Sequence, residues 1–276
     1  MLSTKTAFFK EGYLMRFITD EMTGFNGGGF NSQWSLNCDV GPTYKEMILR
    51  TNLNNDQITQ VLVQLNGDAI YDVSGEELRM LETYKGRAQE DGVFVIPFSD
   101  FSCKTIEGQD LTELVTFAGD NLTLIVKTAA ATAAQTSASL VPTLKATAVM
   151  GAAKPQRVVI PRMYSNLVQA GATGKNVYKN FNRGPRIRRM HMNGPVTQLE
   201  IMRNRLTRYD VELADNDYLI AREGKVPQSG WYHFDPIKYE FAIADFLQTA
   251  GESFEINPYV SSAGDVPVLF ETVETV

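Results

Sequence analysis

Cysteine, histidine and tryptophan each occur only twice in these 276 residues, and each scarcity removes a class of chemistry. Cys38 and Cys103 are too few for a disulfide framework, so they read as free, small, buried side chains. His191 and His233 limit the catalytic menu and read as structural or exposed. No His-Glu-x-x-His or Cys-x-x-Cys pair offers zinc ligands, and no serine sits in a Gly-x-Ser-x-Gly elbow. Trp34 and Trp231 are too scattered to form the aromatic platform of a sugar-binding face. Charged residues make up only 21%, and the net charge of −6 gives no electrostatic reason to bind nucleic acid. No run approaches the roughly 20 apolar residues of a membrane span. Phe8-Phe9 is followed at once by Lys10-Glu11, which leaves no signal-peptide core. The expectation is a chain made in a cytoplasm and soluble there, with no catalytic, cofactor-binding or metal residue to name.

Several local patterns imitate function without meeting its geometry. Gly171-Ala-Thr-Gly174-Lys175 has a phosphate-loop flavour, but Gln169 and Asn176 stand where a glycine and a magnesium-binding hydroxyl belong. Asp215-Asn216-Asp217 and Asp120-Asn121 carry oxygens suited to calcium, yet neither has the spacing of a calcium loop, and cap or turn roles are expected. Asp215 is the expected N-cap of its helix. Arg183, Arg186, Arg188 and Arg189 form one basic cluster. On a strand Arg186 and Arg188 would share a face, which suggests edge-strand charge or a contact with an acidic neighbouring subunit.

What the chain does contain is a repeat. Ile58–Val73 aligns with Val196–Val211 at an offset of 138, with six of sixteen positions identical, including Tyr71/Tyr209, Asp72/Asp210 and Val73/Val211. The same offset aligns Leu81 with Leu219 and Gly86 with Gly224. An offset of 143 aligns Gly41-Pro42 with Gly184-Pro185 and Met47 with Met190. Each copy alternates apolar and polar residues, as a half-buried strand must. Asn66-Gly67 supplies the positive φ angles of a two-residue hairpin. Ser74-Gly-Glu-Glu77 is a capping box that opens a helix ending at Gly86. Val93–Phe98 is echoed by Trp231–Pro236, and Ala118-Gly119-Asp120 by Ala250-Gly251-Glu252.

Short strands with frequent turns and one short helix per half predict an all-β fold of tandem jelly-roll barrels. The expected division is an N-terminal arm (1–35), with a short helix near Ala7–Met22, and a first barrel (36–128). An Ala/Thr-rich linker or edge segment (129–156) and a second barrel (157–276) follow. The linker reading rests on 128–139, where eleven of twelve residues are Ala, Thr or Ser.

With those features in place, the sequence resembles the major capsid proteins of corticoviruses, tailless icosahedral bacteriophages with an internal membrane. Gly41-Pro-Thr-Tyr44 leading to Ile48-Leu-Arg50, Val61 to Asn66-Gly67, and Ala214-Asp-Asn-Asp-Tyr218-Leu followed by Gly224-Lys225 carry the likeness. The resemblance implies a double jelly roll located in the virion capsid and synthesised in the host cytoplasm. It implies homotrimers forming pseudo-hexagonal capsomers, with minor capsid or membrane proteins as further partners; the arm lies outside the likeness, and its own texture suggests either contact with a neighbour or a membrane surface, or a short helix packed on its own domain. It also implies structural calcium in the shell, with no ligand positions to name and no cofactor required. The competing reading is a tandem β-sandwich that binds a carbohydrate or receptor; an enzyme lacks any acid–base pair.

Overall fold

The computed structural model describes residues 16–181, 183–241 and 245–276. Its first half contains β1 (Ile18–Glu21), β2 (Gln33–Cys38), β3 (Thr43–Thr51), β4 (Ile58–Leu65), β5 (Asp68–Val73) and α1 (Gly75–Tyr84). These are followed by β6 (Val93–Pro97), α2 (Ile106–Asp110), β7 (Leu114–Val115), β8 (Leu122–Thr128), α3 (Ala133–Ser137) and β9 (Leu144–Gly151). The second half repeats the order with β10 (Val159–Ala170), β11 (Gly174–Lys175), β12 (Arg186–Asn193), β13 (Val196–Arg203), β14 (Leu206–Glu212) and α4 (Leu213–Arg222). It ends with β15 (Trp231–Phe234), β16 (Leu247–Gln248), β17 (Phe254–Val260) and β18 (Gly264–Thr275).

In each half two four-stranded sheets face one another. They run β1-β9-β3-β6 and β2-β8-β4-β5 in the first half, and β15-β12-β18-β10 and β11-β17-β13-β14 in the second, with the short strands β7 and β16 added beside β3 and β12 as fifth members of their sheets. That is a jelly roll built twice. The repetition extends to irregularities. Register shifts at Ile58/Gln60 and Val63/Gln64 recur at Val196/Gln198 and Ile201/Met202, all at the offset of 138. Another, at Tyr44/Glu46, recurs at Ile187/Arg189. The residue inside that last bulge is a buried cation both times, Lys45 and Arg188. Bulges redirect side chains, so their repetition marks a shared design.

The local signals act as expected. Asn66 and Gly67 take φ of 55° and 84° between β4 and β5. Ser74 accepts from the Glu77 amide, and Glu77 accepts from the Ser74 amide at 2.7 Å. In the second copy Asn204 and Arg205 hold φ of 53° and 62°, so the hairpin survives without glycine. The N-cap of α4 is Glu212, while Asp215 lies in the first turn, where its charge faces the positive end of the helix.

Three expectations change. Residues 18–21 are a strand paired with β9 rather than part of a helix, and Trp34 is buried in the first core. The fold therefore reaches well into the segment expected to be an arm, while 1–15 lie outside the described residues. The segment 129–156 is not simply a linker, because β9 runs between β1 and β3 in the middle of a sheet. Ala146 and Ala148 are small yet fully buried there, so their low bulk reflects close packing on β3. Finally, β10 pairs in parallel with β5 (Met163↔Tyr71, Tyr164↔Asp72), which fuses one sheet from each half into a nine-stranded sheet.

Each barrel has its own core. Tyr44, Met47, Leu49, Phe94 and Leu124 centre the first, and Met190, Leu199, Tyr232, Ile256 and Phe270 the second. Met163 of β10 packs into the first core, so the two barrels share apolar contact as well as a strand pairing.

Candidate functional site: the joint between the barrels

Strand alternation turns Ile187, Met190 and Met192 into the second barrel and Arg189 and His191 out of it. The outward face is ordinarily the wet one. Here α1 and the loop after β6 lie on it, and Arg189, His191, His233, Asp235 and Glu271 are all buried. The bulge at Arg188 turns this residue into the same joint, so Arg188 does not share a face with the exposed Arg186. The Arg cluster thus divides. Arg183 bonds the Glu252 carbonyl at the surface, Arg186 is exposed, and Arg188 and Arg189 are enclosed.

Arg189 sits among three carboxylates. Its Nη1 lies 2.7 Å from Asp100 and 3.4 Å from Glu271, and its Nε lies 2.9 Å from Asp235. Arg188 reaches Asp100 at 3.0 Å. From the first barrel, the Tyr84 hydroxyl donates to Asp235 at 2.8 Å, and buried Lys85 adds positive charge. Burial works to raise the pKa of Asp100 and Glu271, but Arg189, Lys85 and Arg188 reverse this and hold both carboxyls far below their usual range. Burial works against the Arg189 charge, and the three acids outweigh it. Charges this deep must be paired, and Arg188, Arg189 and the three carboxylates are, while Lys85 acts on Asp100 and Glu271 through its field.

The histidines complete the network with a single tautomer pattern. His191 Nε2 lies 3.2 Å from ionised Glu271, so it donates there. Its Nδ1 must then accept, and His233 Nδ1 donates to it across 2.7 Å. His233 Nε2 is left to accept from the Gln228 amide at 3.4 Å. Both rings are therefore neutral, and a proton added to either would set two donors face to face. Burial lowers both pKa values, His233 to about 2, with His191 the second cause. Both histidines are structural, and neither is exposed.

The other candidates take structural positions. Cys38 and Cys103 are free and buried. Asp120 accepts from the Phe117 amide and Asn66, and pairs with Arg157. Asn216 is buried, accepting from Tyr209 and donating to the His233 carbonyl. Lys175 pairs with Glu200. Trp34 is buried and Trp231 stacks on His233, so no tryptophan platform faces solvent. Among the described residues no three His, Cys, Asp or Glu side chains group as metal ligands, and no helix is long and apolar enough to cross a membrane. Residue spacing missed the ion network because its members come from five separate segments, around Tyr84, Asp100, Arg189, His233 and Glu271; only the outward Arg and His on one strand hinted at it.

Two jelly rolls in one chain define the double jelly-roll class seen in viral major capsid proteins. The family models for the viral coat protein P2 N-terminal and C-terminal domains match residues 19–151 and 160–276. The chain belongs to the viral coat protein P2 family, and its place is the virion capsid. Among solved structures it is similar to the major capsid protein P2 of bacteriophage PM2, with TM-score 0.84 and 18% identity over 94% of this chain and 98% of that one. It is also similar to the major capsid protein of Sulfolobus turreted icosahedral virus, with TM-score 0.69 and 11% identity over 94% and 96%. The capsid of PBCV-1 matches with TM-score 0.65 and 9% identity over 99% and 96%. No curated protein sequence matches.

Proposed function

We propose that this coat protein works as a homotrimer whose six barrels form a pseudo-hexagonal capsomer of an icosahedral phage shell, over an internal membrane. The observation that carries the reading is the repeat itself. Two barrels with the same strand order, fixed side by side by the Arg189 network, let three chains present six similar units. The work is assembly rather than turnover, and the P2 family is one of structural coat proteins. Minor capsid or membrane proteins would complete the shell, with the N-terminal arm offering a membrane contact. The reading requires no cofactor and includes structural calcium in the shell, with no ligand positions to name. Light scattering on the purified chain tests it. A mass of three chains at micromolar concentration, kept after chelation, is expected; a monomer under all calcium conditions would refute it.

A further inference from the structure

The two halves have equivalent sheet edges, and two pairs of equivalent edges differ in status. Edge strands β6 and β15 are both terminal, as are β2 and β11. By contrast β5 is covered by β10, while its counterpart β14 ends its sheet. Likewise β10 is covered, while its counterpart β1 ends its sheet. Tyr71 and Val73 are buried in β5; Tyr209 and Val211, their equivalents in β14, are only half-buried. Met80 on α1 is 4% exposed beneath the second barrel, with its carbonyl bonded to Gln228. Tyr218, at the same place on α4, is 68% exposed beside a groove of about 500 Å³ that Asp210, Val211 and Leu219 also line.

We infer that β14 and α4 of one copy receive β1 and the outer face of the first barrel of a second copy, repeating between chains the joint already made within the chain. This rests on the trimer reading above and specifies its contact. The β-ladder registers fix which residues would meet. Arg162 of β10 pairs with Asp68 at 2.5 Å where β5 begins. The equivalents are Ile18, opposite Met150 as Arg162 is opposite Thr272, and Leu206. Both are large, apolar and more than half exposed. An ion pair inside the chain is thus replaced by two exposed aliphatic side chains that would cover each other between chains.

A second correspondence is electrostatic. Tyr84 contacts the network of Arg189, His191 and His233. Its equivalent is Arg222, whose guanidinium is exposed and, among the described residues, has only its neighbour Glu223 as an ion-pair partner, 3.9 Å away. The equivalents of Arg189, His191 and His233 are Glu46, Ile48 and Val95, half-covered on the outer face of the first barrel. Glu46 has no ion-pair partner among the described residues, and burial raises its pKa. Arg222 of one copy would lay its stem on Ile48 and Val95 of the next and pair with Glu46 there. The contact also has a repulsive side, since Asp20 and Glu21 approach Asp210 and Asp215, so added salt would relieve part of it. Because unlike surfaces meet, the contact is heterologous and generates a ring when its rotation closes.

Two charge cycles test this, read by mass photometry over a dilution series in mild urea. Ile18→Arg alone and Leu206→Asp alone should each raise the dissociation constant of the trimer at least about tenfold. Together they install the pair that Arg162 and Asp68 make within the chain and should return it to within about threefold of the parent. Glu46→Arg, Arg222→Glu and their combination should behave the same way. Ile18, Leu206 and Arg222 are exposed and Glu46 is half-covered, and circular dichroism of each single variant checks its fold. A parent trimer unmoved by the single changes, or combined changes that fail to rescue, would overturn this contact and leave the trimer standing. A parent that is never trimeric would overturn both.

Discussion

Arg189 is the buried cation that meets three carboxylates where the barrels join, and replacing it with methionine isolates its contribution. The substitution keeps an unbranched apolar stem and removes one guanidinium from three carboxylates. Asp235 keeps only the Tyr84 hydroxyl and the Ile237 amide. Asp100 keeps Arg188 and Ser102, and Glu271 keeps His191 with Arg188 at 3.9 Å. Breaking a buried ion network from one side costs roughly 3–5 kcal/mol, because the stranded charge stays desolvated. In a chain of this size each kcal/mol moves the melting temperature about 2–4 °C, so a fall of about 10 °C is expected. Thermal unfolding followed by circular dichroism at fixed protein concentration, with oligomer linkage held constant, measures it. Adding Asp235→Asn should recover part of the loss, since one stranded charge is neutralised. A cost below about 1 kcal/mol would show that water reaches the joint and that the network does not fix the barrels.

Stability should also depend on pH in two stages. His191 and His233 are held below their unfolded value near 6.5, so the unfolded chain binds protons first; stability is complete above that pH and falls on acidification by about 1.4 kcal/mol per unit for each ring. Asp100 and Glu271, also depressed, add a second loss below about pH 4; urea midpoints across pH 7 to 3 would show one unbroken plateau if this were wrong. Arg205→Gly should stabilise the chain by about 0.5–1 kcal/mol, because Arg205 holds a φ of 62° that glycine adopts without strain; a lower urea midpoint would contradict this. Gly75→Ala should cost about 1–3 kcal/mol, since its Cβ would come within 2.9 Å of Ile58 and Phe94, and an unchanged melting temperature would argue against that packing. Removing residues 1–25 strips β1 from β9 and takes Met22 and Phe25 from the first core, so the melting temperature should fall; an unchanged value would show that β1 adds nothing to the barrel.

The sequence by itself determined the elements whose causes are local. Asn66-Gly67 turns the β4–β5 hairpin because both residues accept positive φ, and Ser74 with Glu77 starts α1 because each satisfies the other's amide. The repeat at an offset of 138 carried those rules into the second half, even where Arg205 replaced the glycine. Tertiary structure decided what lies against what. The outward side chains Arg189 and His191 follow the same period as any solvated strand face, and only the first barrel lying on that face makes them interior. The Arg188 bulge breaks the period altogether. Ala146 and Ala148 in β9 look like linker residues until β3 is set against them. In each case the deciding contact joins segments tens of residues apart, and periodicity along one strand says nothing about which surface will come to cover it.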